Sequence, residues 1–336
     1  MDWRDLAGLA GAYGVSYLSQ WTDGVPRPFS ASLAVTNRCN IHCSYCNCPS
    51  LDPSELSVPE ISIVLDRLRA MGVRRIGLVG GEPLVRRDFG EIVAAAKRRG
   101  LYVTLNSNLM LYQRNVESVN SADLVFTSLD GDEQTHRNNR GANSLTGVLE
   151  AVSDLCQRGK KVVAICVLTS QNLDQTSYLL DLAEKIGFQM HFQAQCLDSE
   201  LVRPGAQVFP DSSRLRAVWK NLIGEKKRGR RLASSLPYLE VLSRWEDFAT
   251  PAYADASARC AAGRAFLYVD AAGRAYPCPF TKGKTAGVDL LKQNWQETFK
   301  GETPCTRCLI GPMLEMNLLF ERPLAAALNA ARHYAG

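Results

Sequence analysis

At 336 residues, and about 100 to 200 residues per domain, the chain is long enough for one large domain with an appendage, or for two domains. Hydrophobic residues at 46% and charged residues at 22% fit a soluble globular protein and exclude a disordered or fibrous one. Lys and Arg total 39 against 34 Asp and Glu, and the resulting +5 is too small an excess to point to nucleic acid as a partner.

The N-terminal segment, 1–30, lacks the basic start and apolar run of a signal peptide, and no stretch has the length of a membrane span, so a cytoplasmic chain is expected. Eleven cysteines in a reducing compartment are then to be read for metal or redox chemistry before disulfides. Within 1–30, Trp3, Leu6, Ala10, Tyr13 and Tyr17 recur at helical spacing. That stripe fits either a helix packed on the domain or, with the basic run Lys226 to Arg231, a peripheral contact with an anionic membrane.

From 31 to 200, short β-branched or apolar runs alternate with stretches of helical period, the pattern of repeated βα units on a parallel sheet. Strands are predicted at Ser32 to Thr36, Arg75 to Val79, Tyr102 to Asn106, Leu124 to Ser128, Val162 to Leu168 and Met190 to Ala194. Helices fit at Pro59 to Met71, Phe89 to Arg99, Gln113 to Val119, Ser144 to Arg158 and Leu173 to Ile186. Ser57 and Glu60 form a capping box at the first of these, with Pro59 in its first turn. Six units fall short of eight, so the fold class is α/β, a partial (β/α)6 TIM-like barrel with its site at the C-terminal ends of the strands. A helical connection over 201–255 holds helices near Ser212 to Glu225 and Ser234 to Phe248. The region 256–336 contributes a hairpin, Phe266 to Val269 and Ala275 to Tyr276 around Asp270 to Gly273, in a small Cys-rich lobe with a C-terminal helix.

Directly after the first strand, Cys39, Cys43 and Cys46 stand in C-x3-C-x2-C spacing, three thiolates in one loop. Structural zinc closes its shell with four ligands, whereas a four-iron cluster on three cysteines leaves one iron open. A zinc knuckle or buried thiols remain the plainer readings of the spacing alone.

This loop, Gly80-Gly81-Glu82-Pro83 after the second strand and Ser128-Leu129-Asp130-Gly131 after the fourth together resemble the radical S-adenosylmethionine superfamily. The resemblance implies that Cys39, Cys43 and Cys46 hold a [4Fe-4S] cluster whose open iron binds S-adenosylmethionine. One electron then cleaves the cofactor to a 5′-deoxyadenosyl radical that abstracts a substrate hydrogen. On that reading Gly80 and Gly81 let backbone approach the cofactor, Glu82 accepts from its ammonium, and Tyr45 faces the adenine. Ser107 and Asn108 sit where the family has Thr-Asn-Gly and, like Ser128, are ribose candidates. Two positions depart from the family pattern: Leu109 replaces the Gly, and His136-Arg137-x-x-Arg140-Gly141 has Arg137 in place of the Asp of H-D-x-x-R-G. An electron donor such as flavodoxin or ferredoxin is implied.

Cys260, Cys278, Cys305 and Cys308 do not by spacing alone choose zinc over iron and sulfur. Their placement around the hairpin resembles a shortened SPASM or twitch extension, which implies one auxiliary [4Fe-4S] cluster with four cysteine ligands, since no cysteine follows Cys308. Cys156 and Cys166 read as core, and Cys48 as a bystander. Cys196, ending the sixth strand, is either packing or a hydrogen donor to a substrate radical.

The 30 residues before the first strand leave no room for a separate peptide-recognition domain, and the layout is similar to radical SAM enzymes acting on isoprenoid and membrane lipids. A lipid or small metabolite is therefore the expected substrate. The alternatives are a peptide-modifying enzyme of RiPP maturation and a catalytically inactive, zinc-stabilised binding protein.

Overall fold

Six short β-branched or apolar segments form β1 (Ser30–Thr36), β2 (Arg75–Gly80), β3 (Tyr102–Asn106), β4 (Leu124–Ser128), β5 (Val162–Leu168) and β6 (Gln189–Ala194) in a computed structural model. The structure describes residues 3–19, 27–195, 200–203, 211–249, 260–294 and 308–321. All six strands are parallel, in the order β6-β5-β4-β3-β2-β1, so their C-terminal ends share one rim, as in the expected partial barrel. The sheet then continues past β1 through β7 (Phe266–Val269), β8 (Arg274–Tyr276) and β9 (Val288–Asp289). β7 lies parallel to β1, with Leu33 opposite Val269, while β8 and β9 are antiparallel. The turn between β7 and β8 has a local cause: Asp270 accepts from the N–H groups of Ala272 and Arg274, and Gly273 takes φ 82°.

Helices α2 (Val58–Met71), α3 (Phe89–Arg98), α4 (Val116–Ser121), α6 (Leu145–Gln157) and α7 (Thr176–Ile186) cover the outer face. The capping box at Ser57 and Glu60 starts α2 as expected, and Gly72 at φ 110° ends it. The helix expected over Gln113 to Val119 is instead a 3-10 turn, Tyr112–Arg114, followed by α4, with Asn115 turning its side chain back to the Leu111 carbonyl. Between α4 and α6 lies α5 (Glu133–Arg140), which hydrophobic periodicity does not reveal because its sequence is polar throughout. Asp132 starts it by accepting the Thr135 N–H, and Gly141 stops it at φ 70°.

Leu33, Ile76, Leu78, Val103 and Leu105 point outward to Leu65, Leu68, Phe89 and Ile92, all below 1% exposed. Each such side chain contributes about 1.5–3 kcal/mol on burial. The lumen is closed by two further helices. Leu9 of α1 (Trp3–Ser19) packs against the cluster of Tyr102, Leu124 and Val163, near the starts of β3, β4 and β5. Tyr13 and Tyr17 join Phe29 and Phe320 in an aromatic group, and the Tyr13 hydroxyl donates to the Leu319 carbonyl at 2.9 Å. The last helix, numbered α10 after α8 (Ser212–Lys227) and α9 (Leu236–Ser243), spans Gly311–Glu321. It crosses the open side of the barrel, with Gly311 against His191 and Gln193 of β6 and Met313 and Met316 in the same cluster as Ala34 of β1.

These contacts place part of the N-terminal stripe inside the fold, as the packed-helix alternative expects. Val15 and Leu18 of the same helix stay 52% and 60% exposed, and three arginines of the basic run are ion-paired: Arg228 with Glu225, Arg230 with Asp181 and Glu184, and Arg231 with Glu184. Among the described residues no helix is long and apolar enough to cross a membrane.

Candidate functional site

The loop after β1 carries Cys39, Cys43 and Cys46, and it is fastened from four sides by backbone contacts. From the β2 side, Gly81 N–H donates to Thr36 O and Glu82 N–H to Arg38 O, both at 2.8 Å. A Cβ on Gly80 would stand 2.1 Å from Thr36 O, and one on Gly81 2.2 Å from Arg38 O. The two glycines are therefore required by backbone approaching backbone, a role other than the cofactor contact expected for them. From α5, Asn139 O accepts the Ser44 N–H at 2.9 Å, and Gly141 lies where a Cβ would be 2.5 Å from His42 O. Residues 200–203 complete the frame: Cys46 bridges Val202, Leu201 O accepts from Asn47 N–H, and Arg203 N–H donates to Tyr45 O. From below, Arg86 is buried and donates to Val35 O and Leu56 O at 2.8 and 2.9 Å while pairing with Asp88.

Glu82 is the hub of the β2 and β3 ends. Its side chain is 1% exposed; Oε1 accepts from Leu84 N–H (3.0 Å) and Ser107 Oγ (2.7 Å), and Oε2 from Asn108 N–H (2.6 Å). Burial holds this carboxyl above its usual range against those three hydrogen bonds. These three donors leave one acceptor position of the carboxylate for the ammonium contact expected of it. Ser107 is likewise engaged, donating to Glu82 and accepting from Leu109 N–H at 2.9 Å. Asn108 reaches the cysteine loop, with Nδ2 2.8 Å from Asn40 Oδ1 and 4.0 Å from Cys39 Sγ. Leu109 explains the departure noted in the sequence: it is the single non-glycine residue with positive φ among the described residues, 58°, the conformation a glycine adopts freely.

Ser128 ends β4 half-buried. Tyr45 has a cation over its ring, the Arg140 guanidinium 5.5 Å from the ring centre, and its hydroxyl lies 3.5 Å from Asp130 Oδ2. Arg140 takes one ring face, which leaves the opposite face for the adenine contact expected of Tyr45. Sequence reasoning passed over Arg86 and gave His136 and Arg140 no role; the His136-x-x-x-Arg140-Gly141 pattern, four residues apart on one helix face, was the available signal.

The thiols of Cys39, Cys43 and Cys46 lie within electrostatic reach of one another. Burial raises Cys39 to about 11, and a hydrogen bond from Cys48 lowers Cys46 to about 6. Cys48, expected as a bystander to the three ligand candidates, is thus in contact with one of them. Among the described residues no three His, Cys, Asp or Glu side chains converge on a single-ion site. In the lobe, Cys260, Cys278 and Cys308 fall in one cluster with Met313 and Met316. Thr281 N–H points to the Cys278 sulfur and Asn317 Nδ2 lies 4.0 Å from the Cys260 sulfur, donors of the kind that support metal thiolates. Cys305 and Cys196 lie outside the described residues. Cys166 is fully buried and Cys156 half-buried against the core, as expected.

Residues 33–183 match the family model of the Radical SAM superfamily. The chain is 27% identical over 277 residues to a mycofactocin maturase MftC of Mycolicibacterium smegmatis, covering 78% of this chain and 67% of that one. It is 32% identical over 170 residues to a PqqA peptide cyclase of Streptomyces rochei, covering 48% of this chain and 47% of the relative. Among solved structures, Streptococcus suis SuiB bound to the precursor peptide SuiA is similar in fold, with TM-score 0.68 and 15% identity over 86% of this chain and 68% of that one.

Proposed function

The chain belongs to the radical SAM superfamily and uses a [4Fe-4S] cluster and S-adenosylmethionine, and from that premise we propose that it is a peptide-modifying enzyme. When bound, the cluster supplies the electron that cleaves S-adenosylmethionine and so begins hydrogen abstraction. Cys39, Cys43 and Cys46 hold it on this reading, because they are the thiols that the ends of β2 and α5 fasten beside the lumen. Glu82 and Ser107 fix the β2 and β3 ends, with one Glu82 acceptor position left for the cofactor ammonium and one Tyr45 face for its adenine, and Asn108 and Ser128 are the side chains for cofactor hydroxyls. Cys260, Cys278, Cys305 and Cys308 hold an auxiliary [4Fe-4S] cluster, and a flavodoxin or ferredoxin supplies the electron.

The observation that carries the peptide reading is the pair of relatives whose names denote a maturase and a peptide cyclase, the first aligned over 78% of this chain. It displaces the lipid or small metabolite expected from the sequence. The test is anaerobic incubation of the reconstituted protein with S-adenosylmethionine, reductant and short peptides encoded beside its gene, followed by mass spectrometry. A hydrogen-count change in one peptide is expected; consumption of a lipid or sugar with every peptide unchanged would overturn the reading. Iron analysis checks the cofactors separately: about eight irons per chain, falling to about four when Cys278 and Cys308 are both changed to Ala.

A further inference from the structure

Asp130 and Arg140 form a buried ion pair beside the cysteine loop, with side chains 0% and 9% exposed. Nε of Arg140 lies 2.7 Å from Asp130 Oδ2, and Nη2 donates to Oδ1 at 3.2 Å. The remaining arm points the other way: Nη1 donates to Cys43 Sγ at 3.9 Å, and the guanidinium covers the ring of Tyr45 between two of the cysteines. Asp130 is in turn fixed by its surroundings. Oδ1 accepts the Val167 N–H at 3.3 Å, and its own N–H donates to His136 Nδ1 at 3.3 Å. His136 Nε2 meets Ser144 Oγ at 2.9 Å, so the imidazole is neutral with its proton on Nε2.

A buried pair of this kind contributes little to stability compared with apolar residues of the same shape. Its direction, however, is specific. The carboxylate sits behind the guanidinium, and the positive end faces the sulfur. In a water-poor site a cation and an N–H donor beside a thiolate favour the more negative, reduced form of whatever iron–sulfur group the thiolate holds.

We propose that Arg140, oriented by Asp130, is a positioning residue that hydrogen-bonds the Cys43 thiolate and raises the reduction potential of the cluster at Cys39, Cys43 and Cys46. This rests on the assignment of the cluster to those three cysteines. The test is an EPR-monitored potentiometric titration of the full, anaerobically reconstituted chain, following the signal that S-adenosylmethionine perturbs. Asp130→Asn leaves the cation uncompensated, so the reduced-to-oxidised ratio at the wild-type midpoint should rise about tenfold, or about 59 mV for one electron. Asp130→Asn with Arg140→Met removes both charges at similar volume, and the ratio should fall by about the same factor.

A residue that merely held the loop together would not move the potential in opposite directions in the two variants. Shifts of the same sign, or none beyond about twofold, would overturn the proposal. Arg140→Lys guards against failed assembly: it keeps the cation, so it should hold its iron and stay near the wild-type potential, and a fall to the level expected of the double variant would also overturn the proposal. The underlying assignment fails by a different sign, namely survival of the cofactor-perturbed signal when Cys39, Cys43 and Cys46 are all changed to Ala.

Discussion

Glu82→Gln isolates what the GGEP turn does. The carboxylate receives three donors, the N–H groups of Leu84 and Asn108 and the hydroxyl of Ser107. Glutamine has one acceptor oxygen and one NH2, so whichever way the amide turns, at least one buried N–H faces another donor. An orphaned buried donor costs about 1–3 kcal/mol, or a factor of about 5 to 150 in the folded-to-unfolded ratio. The pH dependence follows from the raised carboxyl of Glu82. A protonated Glu82 still accepts at both oxygens, whereas the amide NH2 does not, so the gap between wild type and variant is widest in acid. As the pH rises through the raised value, the wild-type protein must bury an ionised carboxylate and loses stability that the variant does not. The gap therefore narrows towards neutrality. Urea unfolding followed by circular dichroism at several pH values measures both arms. An unchanged unfolding midpoint would refute the hub role, and a gap that widens as pH rises would show that the hydrogen bonds outweigh burial.

Gly81→Ala, with its Cβ 2.2 Å from a backbone carbonyl, should cost at least about 1–3 kcal/mol and loosen the cysteine loop, read by unfolding and by iron content. Gly147→Ala, in α6 with open space around it, should instead stabilise by about 0.5–1 kcal/mol in the same assay. Leu109→Gly relieves a left-handed backbone worth about 1–2 kcal/mol but empties a site 1% exposed, so it should cost less than Leu105→Ala, which loses about 2–5 kcal/mol with no relief. His136 is held neutral by burial, its value lowered from 6.5 to about 4, so the unfolded chain takes up the proton first and stability falls as pH drops from 6.5 towards 4. At about 1.36 kcal/mol per pH unit the loss is roughly 3 kcal/mol; His136→Gln should flatten that part of the stability profile, and an unchanged profile would refute the assignment.

The strands of the barrel were legible because each is a short β-branched or apolar run between segments of helical period, and their predicted limits differ from the observed ones by at most two residues, at β1. The helix α5 was not legible, since Glu-Gln-Thr-His-Arg-Asn-Asn-Arg has no apolar stripe; its inner face is made by His136, Asn139 and Arg140, which are buried through polar contacts. The same limit applies to the site. Cysteine spacing reveals the ligand candidates, and a double glycine reveals a close approach, but it does not say to what. Here the approach is to the carbonyls of Thr36 and Arg38, and Glu82 turns to its own chain's donors. Sequence motifs indicate that residues act together without showing which of them face each other.

The sheet brings two cysteine-bearing segments far apart in the chain, the loop after β1 and the stretch after the β7–β8 hairpin, onto adjoining strands. β1 ends in the loop of Cys39, Cys43 and Cys46, and its other edge pairs directly with β7, whose hairpin leads to Cys278. Ala34 of β1 shares its packing with Tyr268, Cys278 and Met316, so the lobe and the barrel have a common apolar seam. Across that seam Lys282 reaches Glu200 at 2.9 Å and Asp270 at 3.7 Å, while Glu200 O and Leu201 O accept from Asn47 beside Cys46. A parallel pairing fixes register along its whole length. The β7 edge of the lobe therefore cannot shift along β1 without breaking the β1–β7 hydrogen bonds, which ties the segment leading to Cys278 to the strand that leads to Cys39.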